Sequence, residues 1–227
     1  MLKIRKLVKR FSTNRKKKAS TVSSFAGVAP YWEKRYAEGG ASGAGSLGRL
    51  AEFKANVLNE FVEQRDIRSV LELGCGDGSQ LALARYPSYV GVDVSRTAID
   101  LCRSRFAGDS SKRFLHSSDC FGYKGRYDLV LSLDVIFHLV EDAVYEAYMA
   151  ALQQYAGKYI IIYSSNYDDD PERPWALHVR HRRFSRVFEG LTDQWRLIAK
   201  VNNPYPFDPA DQDNTTFADF YIYERLA

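Results

Sequence analysis

Cysteine is scarce in this chain of 227 residues. Its three cysteines, Cys75, Cys102 and Cys120, are scattered and have no C-x-x-C spacing. That excludes a disulfide framework and a zinc ribbon, and it fits a reducing, cytoplasmic compartment. No uninterrupted apolar run is long enough to span a bilayer, and no internal repeat is visible. Acidic residues are missing from the first 18 positions, which hold nine Lys and Arg; with a formal net charge of +4 for the whole, residues 19–227 carry −5. A mildly acidic body argues against a broad nucleic-acid-binding face on it. What remains, 45% hydrophobic and 26% charged, is ordinary globular composition, and the length suits one α/β domain with extensions.

Within the basic stretch, Ile4, Leu7, Val8 and Phe11 fall at i, i+3, i+4 and i+7. The pattern is that of a short amphipathic helix with a basic face, suited to peripheral contact with an anionic membrane surface. A disordered solubilising tail and an organellar transit peptide have the same composition. The apolar residues are interrupted by charge, unlike the central stretch of a secretory signal.

Residues 19–64 read as a helical extension. Tyr31, Trp32 and Tyr36 precede a run, 39–46, made of Gly, Ala and Ser alone, the composition of a flexible lid. In 47–65, Leu50, Phe53, Val57, Leu58 and Phe61 recur at helical spacing. Strand-like runs at 69–73, 89–93, 113–116, 127–133 and 158–164 then alternate with helical segments predicted at 79–86, 96–106 and 142–155. Such alternation implies a parallel sheet with helices on both faces. Runs at 196–201 and 217–223, joined by a Pro/Asp/Asn-rich loop, read instead as an antiparallel hairpin. An insertion is expected at about 168–190, inside a domain that spans 65–227.

The most informative segment is Val70-Leu71-Glu72-Leu73-Gly74-Cys75-Gly76-Asp77-Gly78: a buried strand ending in an acid that runs into alternating glycines. A dinucleotide fingerprint needs glycine at 79, where this chain has Ser79. The E-x-G-x-G-x-G spacing resembles the class I S-adenosylmethionine-dependent methyltransferases, and the resemblance covers roughly residues 65–165. It implies a Rossmann-like seven-stranded sheet, mostly parallel, closed by the antiparallel hairpin. It also implies that Glu72, Gly74, Cys75, Gly76 and Gly78 hold the amino-acid end of S-adenosylmethionine. Asp93, followed by Val94, stands where the family receives the ribose hydroxyls; Asp119 and Cys120 stand where it reads adenine. Leu133 ends the fourth strand, whose carboxyl end meets the transferred methyl.

Asp134 and His138, four apart, would share a face of a helical turn. Either His138 is a general base oriented by Asp134, or the two share a divalent cation, Mg²⁺ or Mn²⁺; His138 packing beneath the cofactor is the third reading. His181 is a further catalytic candidate from the insertion. Tyr31, Trp32, Tyr36, Arg49 and His178 are candidates for the lid and the acceptor pocket. The block 31–50 resembles a bacterial methyltransferase subgroup, some members of which modify saccharides, and this makes a sugar hydroxyl the leading acceptor. A small-metabolite amine or hydroxyl, or binding without turnover, is the alternative. Nucleic acid is disfavoured: Asn203-Pro204-Tyr205 lies far from the fourth strand, where an amino-group signature belongs. The oligomeric state is not legible.

If the basic stretch is a membrane anchor, deleting residues 1–18 will abolish co-sedimentation with vesicles containing anionic lipid; unchanged sedimentation of the truncated chain would remove that reading.

Overall fold

A computed structural model describes Phe25, residues 27–120, 125–170, Glu172 and residues 175–226. The basic stretch 1–18, with its expected amphipathic helix, lies outside the described residues. Helix α1 (Val28–Ala37) and helix α2 (Gly48–Gln64) form the extension before the sheet. Strands β1 (Val70–Leu73), β2 (Tyr89–Asp93), β3 (Lys112–His116), β4 (Tyr127–Leu133), β5 (Ala156–Ser164), β6 (Trp195–Val201) and β7 (Asp219–Arg225) follow, with helices α3 (Arg96–Arg105), α4 (Asp142–Tyr155) and α5 (Ser185–Glu189) between them.

The strands form one sheet in the order β3-β2-β1-β4-β5-β7-β6. The first five are parallel, while β7 runs antiparallel to both β5 and β6. All four residues of β1 are buried, as expected of a central parallel strand covered on both faces. One face carries Leu58, Phe61 and Val62 of α2 against Val70, Tyr89, Leu129 and Ile161. The other carries Met149 and Leu152 of α4 against Leu71, Val130, Ile160 and Ile162. The strand order reverses between β1 and β4, and the crevice beyond the carboxyl ends there is where an open α/β sheet binds ligands.

The predicted helix over 79–86 is absent. A 3₁₀ turn, Leu81–Leu83, stands in its place. Pro87 biases the preceding residue away from helical geometry, which leaves too few residues to repay helix nucleation. The side chain of Asn59 on α2 takes over the free backbone groups, donating to Leu83 O at 3.0 Å and accepting from Arg85 N at 2.8 Å. The hairpin is displaced by one or two residues from its expected limits, and the insertion is a loop that ends in α5.

Leu58, fully buried between α2 and the sheet, anchors the extension. Leu58→Ala is expected to cost about 2–5 kcal/mol, read as a lower urea midpoint at an unchanged slope.

Candidate functional site

β1 runs directly into the glycine turn. Gly74, Gly76 and Gly78 have φ of +90°, +55° and +74°, a region that costs an L-residue roughly 1–2 kcal/mol. The space a Cβ would need is also taken, by Val135 Cγ2 at Gly74 and by Ser42 Oγ at Gly76. The turn is tied to the end of β2 by Asp93, whose Oδ2 accepts from Gly76 N and whose Oδ1 accepts from Ser95 N, both at 2.9 Å. Burial raises the Asp93 pKa, and those amide bonds oppose the rise. Ser95 caps α3 by accepting from Ala98 N at 3.1 Å. Glu72, in β1, precedes the turn. It accepts from Tyr89 Oη at 2.6 Å, and burial pushes its carboxyl up to about 7.

The extension lies on this turn. Ser42 N donates to Asp77 Oδ2 at 3.2 Å while Asp77 N donates back to Ser42 Oγ at 3.0 Å. Tyr36 is buried, with its hydroxyl 3.0 Å from the same Ser42 oxygen. Glu33 of α1 reaches the start of α3, where it accepts from Ser95 Oγ at 2.7 Å and Thr97 Oγ1 at 2.6 Å. These hydrogen bonds, Thr97 first, hold its carboxyl below the usual range. A carboxylate at a helix N-terminus also meets the positive end of the helix dipole.

Beyond β4, Asp134 has φ of +57°, a region that Asp tolerates better than most residues. Its amide donates to Tyr163 O at 2.9 Å, and its Oδ2 meets the Lys54 ammonium at 2.5 Å. His138 follows in a 3₁₀ turn, Ile136–His138, with Nδ1 3.0 Å from His178 O. A carbonyl oxygen can only accept, so Nδ1 carries the proton and Nε2 keeps its lone pair. Burial pushes the His138 imidazole down to about 4. Its ring stacks on His178 at 5.5 Å and meets the edge of Trp32 at 4.9 Å. Tyr31 also stacks on His178, at 4.3 Å, and Trp32 stacks on Tyr36 at 5.7 Å.

The expected Asp134–His138 couple is therefore not formed: Asp134 pairs with Lys54, and His138 is oriented by a backbone carbonyl. The divalent cation expected of the two finds no support. Asp134 already has a cationic partner, and among the described residues no group of three His, Cys, Asp or Glu is placed to hold a metal ion. Asp168 and Asp169 order the insertion by accepting from the amides of Arg183 and His181.

The other sequence candidates are spread around this centre. Cys75 is buried within the turn and Leu133 at the end of β4. Val94 O receives His116 Nε2 at 2.9 Å. Asp119 is exposed in the 3₁₀ turn Ser117–Cys120 after β3, where it takes the Ser118 hydroxyl at 2.9 Å. Arg49 clasps a distant loop, donating to Asn214 O at 2.8 Å, pairing with Asp211 and stacking its guanidinium on Tyr205. His181 is separated from His138 by the Phe137 ring. It is buried, its Nδ1 lies 2.6 Å from Ser165 Oγ, and Tyr167, Trp175 and Phe217 enclose it.

Residues 70–156 match the family model of the methyltransferase domain. The sheet order and the antiparallel C-terminal strands are those of the Rossmann-like methyltransferase fold. Solved structures share the fold. Magnesium protoporphyrin IX methyltransferase from Synechocystis PCC 6803, with bound S-adenosylhomocysteine, aligns with a TM-score of 0.63 at 14% identity over 88% of this chain and 98% of its own. The N-methyltransferase NodS from Bradyrhizobium japonicum WM9 aligns at 0.60 and 14% identity over 78% and 88%. The methyltransferase domain of bacterial CtHen1 aligns at 0.59 and 17% identity over 77% and 97%. Comparison with curated proteins finds no match.

Reading the sequence missed Lys54, Ser42, Glu33 and Tyr89 of this site. Lys54 was detectable: it lies four residues from both Leu50 and Leu58, on the stripe that α2 buries. Ser42, Glu33 and Tyr89 left no such signal, since their partners lie 17 to 64 residues away.

Gly76→Ala adds a Cβ in the left-handed region and drives it against Ser42. It is expected to weaken S-adenosylhomocysteine binding about tenfold or more, measured by calorimetry on folded protein.

Proposed function

We propose that this methyltransferase moves the methyl group of S-adenosylmethionine to a hydroxyl of a saccharide. The observation that carries the acceptor side is His138, whose unprotonated Nε2 stands in a shell of aromatic rings beyond β4. Indole and phenol rings stack on the apolar faces of sugars, and two further rings on this side of the sheet, Tyr167 and Trp175, are 42% and 36% exposed.

The residues present fit the cofactor. The turn of Gly74, Cys75, Gly76 and Gly78 brings backbone close to a ligand. Asp93 uses one lone pair on each oxygen for the turn and the helix cap, which leaves one on each for a pair of ribose hydroxyls. In this reading Asp119 and Cys120, in the turn after β3, meet the adenine, and Glu72 at the end of β1 lies toward the amino-acid end of the cofactor. When bound, the cofactor supplies an activated methyl on a sulfonium, so the protein has to position the acceptor and exclude water.

Within that scheme His138 holds the acceptor hydroxyl by accepting its proton in a hydrogen bond. In methyl transfer the acceptor oxygen would gain a third bond as the methyl's bond to sulfur breaks, and its O–H would become strongly acidic, so even an imidazole near 4 is basic enough to take the proton in the same step. Trp32 and His178 fix the imidazole plane. Tyr31, Trp32 and Tyr36 close the pocket from the extension, which excludes water. The acidic body supports an acceptor other than nucleic acid. Residues 1–18 supply peripheral membrane contact in this reading, which suits a glycan assembled on the cytoplasmic side.

His138→Ala is expected to lower kcat by about a hundredfold or more while S-adenosylhomocysteine affinity stays within about threefold. The assay is transfer of labelled methyl to a panel of saccharides, small alcohols, amines and RNA; near-normal turnover by the variant would eliminate the base. Because protonation of Nε2 removes the base, the rate should fall as pH drops through about 4 and show no His138 limb between pH 6 and 8.

A further inference from the structure

The insertion holds a second imidazole that the scheme above does not use. His181 is 2% exposed, and its Nδ1 lies 2.6 Å from the hydroxyl of Ser165, just beyond β5. Burial pushes the imidazole down to about 4, so the ring is neutral above that value. Among the described residues no group lies within hydrogen-bond distance of its Nε2, although that atom is buried. Buried polar atoms are rarely left without a partner.

A neutral imidazole has one N–H and one lone pair. If Nδ1 donates to Ser165, Nε2 is a free acceptor; if Nδ1 accepts, Nε2 is a free donor. A hydroxyl answers either form, since it both donates and accepts, whereas a carboxylate or an ammonium answers only one. The flanking charges are already engaged. Asp169 accepts from His181 N at 2.9 Å, and Asp168 accepts from Arg183 N and pairs with Arg186.

The surroundings of His181 are aromatic. Tyr167 stacks on the imidazole at 4.8 Å, while Trp175 and Phe217 meet it edge to face at 4.6 and 4.5 Å. Phe207 continues the cluster beside Trp175 at 5.8 Å. Through Tyr167 and Trp175, both partly exposed, the cluster reaches the surface. Phe137 joins it to the reaction centre, with its ring 4.5 Å from His138 and 6.1 Å from His181.

Resting on the saccharide reading above, we propose that the insertion forms a second sugar subsite. A sugar unit next to the methylated one lies against Tyr167 and Trp175, shifts the Trp175 indole and bonds one hydroxyl to His181 Nε2. The acceptor is then an oligosaccharide, because a single sugar unit at His138 leaves this subsite unfilled.

The test is transfer of labelled methyl by the full chain to glucose, galactose, mannose and N-acetylglucosamine, each beside its linear trisaccharide, with small amines and RNA in parallel. Tryptophan-fluorescence titration with the same sugars reads binding directly. The proposal expects at least one trisaccharide to exceed its monosaccharide about tenfold or more in affinity and in kcat/KM, chiefly through KM. His181→Phe and Trp175→Ala should each bring that ratio to within about threefold. Trp175 is partly exposed, so Trp175→Ala reports even if His181→Phe does not fold. Trisaccharides no better than their monosaccharides, or a ratio unchanged in Trp175→Ala, overturn it. Transfer to amines or RNA alone, or no binding of any saccharide, overturns the saccharide reading itself, a distinct result.

Discussion

Asp93 accepting from the Gly76 amide is the contact on which the site depends. It joins the end of β2 to the turn that leaves β1, and it is made across neighbouring parallel strands whose register is already set. With that amide engaged, the chain between Leu73 and Ser79 has to pass through left-handed backbone at alternate positions, and only glycine does so cheaply. The motif in the sequence and the geometry of the turn are therefore one constraint seen twice. The same carboxylate also supports the start of α3 through Ser95, so the mouth of the crevice and the helix beside it are held by a single side chain.

The extension is part of this arrangement rather than an appendage. Ser42 and Asp77 exchange hydrogen bonds, Glu33 occupies the start of α3, and Lys54 reaches the end of β4. Each contact joins a residue before the sheet to one of the three strand ends that frame the crevice. A domain boundary at 65, reasonable from composition, cuts through all of them.

The fold was legible because its signals are local. β1, β2 and β4 are short apolar runs bounded by turn residues, and the switch from alternating elements to the C-terminal hairpin is visible in the spacing of Trp195–Val201 and Asp219–Arg225. The predicted helix after the glycine turn failed because Pro87, just beyond the window, limits its length and because Asn59, from another element, offers the backbone partners that end it early. The site was legible at its backbone half, in the glycines and Asp93, since these are fixed by conformation. It was opaque at its side-chain half. Asp134 and His138 are four apart and invite pairing, yet a residue in left-handed backbone directs its side chain away from a regular helical face, and each found a partner 40 or 80 positions distant.

The short 3₁₀ turn after the glycines has an electrostatic meaning of its own. A full helix in that place would aim roughly half a unit of positive charge at the crevice from its N-terminal pole. Three residues of 3₁₀ geometry sum too few peptide dipoles to do so. The helix-dipole contribution on this side is consequently left to the N-terminus of α3 beside Asp93, and ionisable side chains carry the rest of the potential in the crevice.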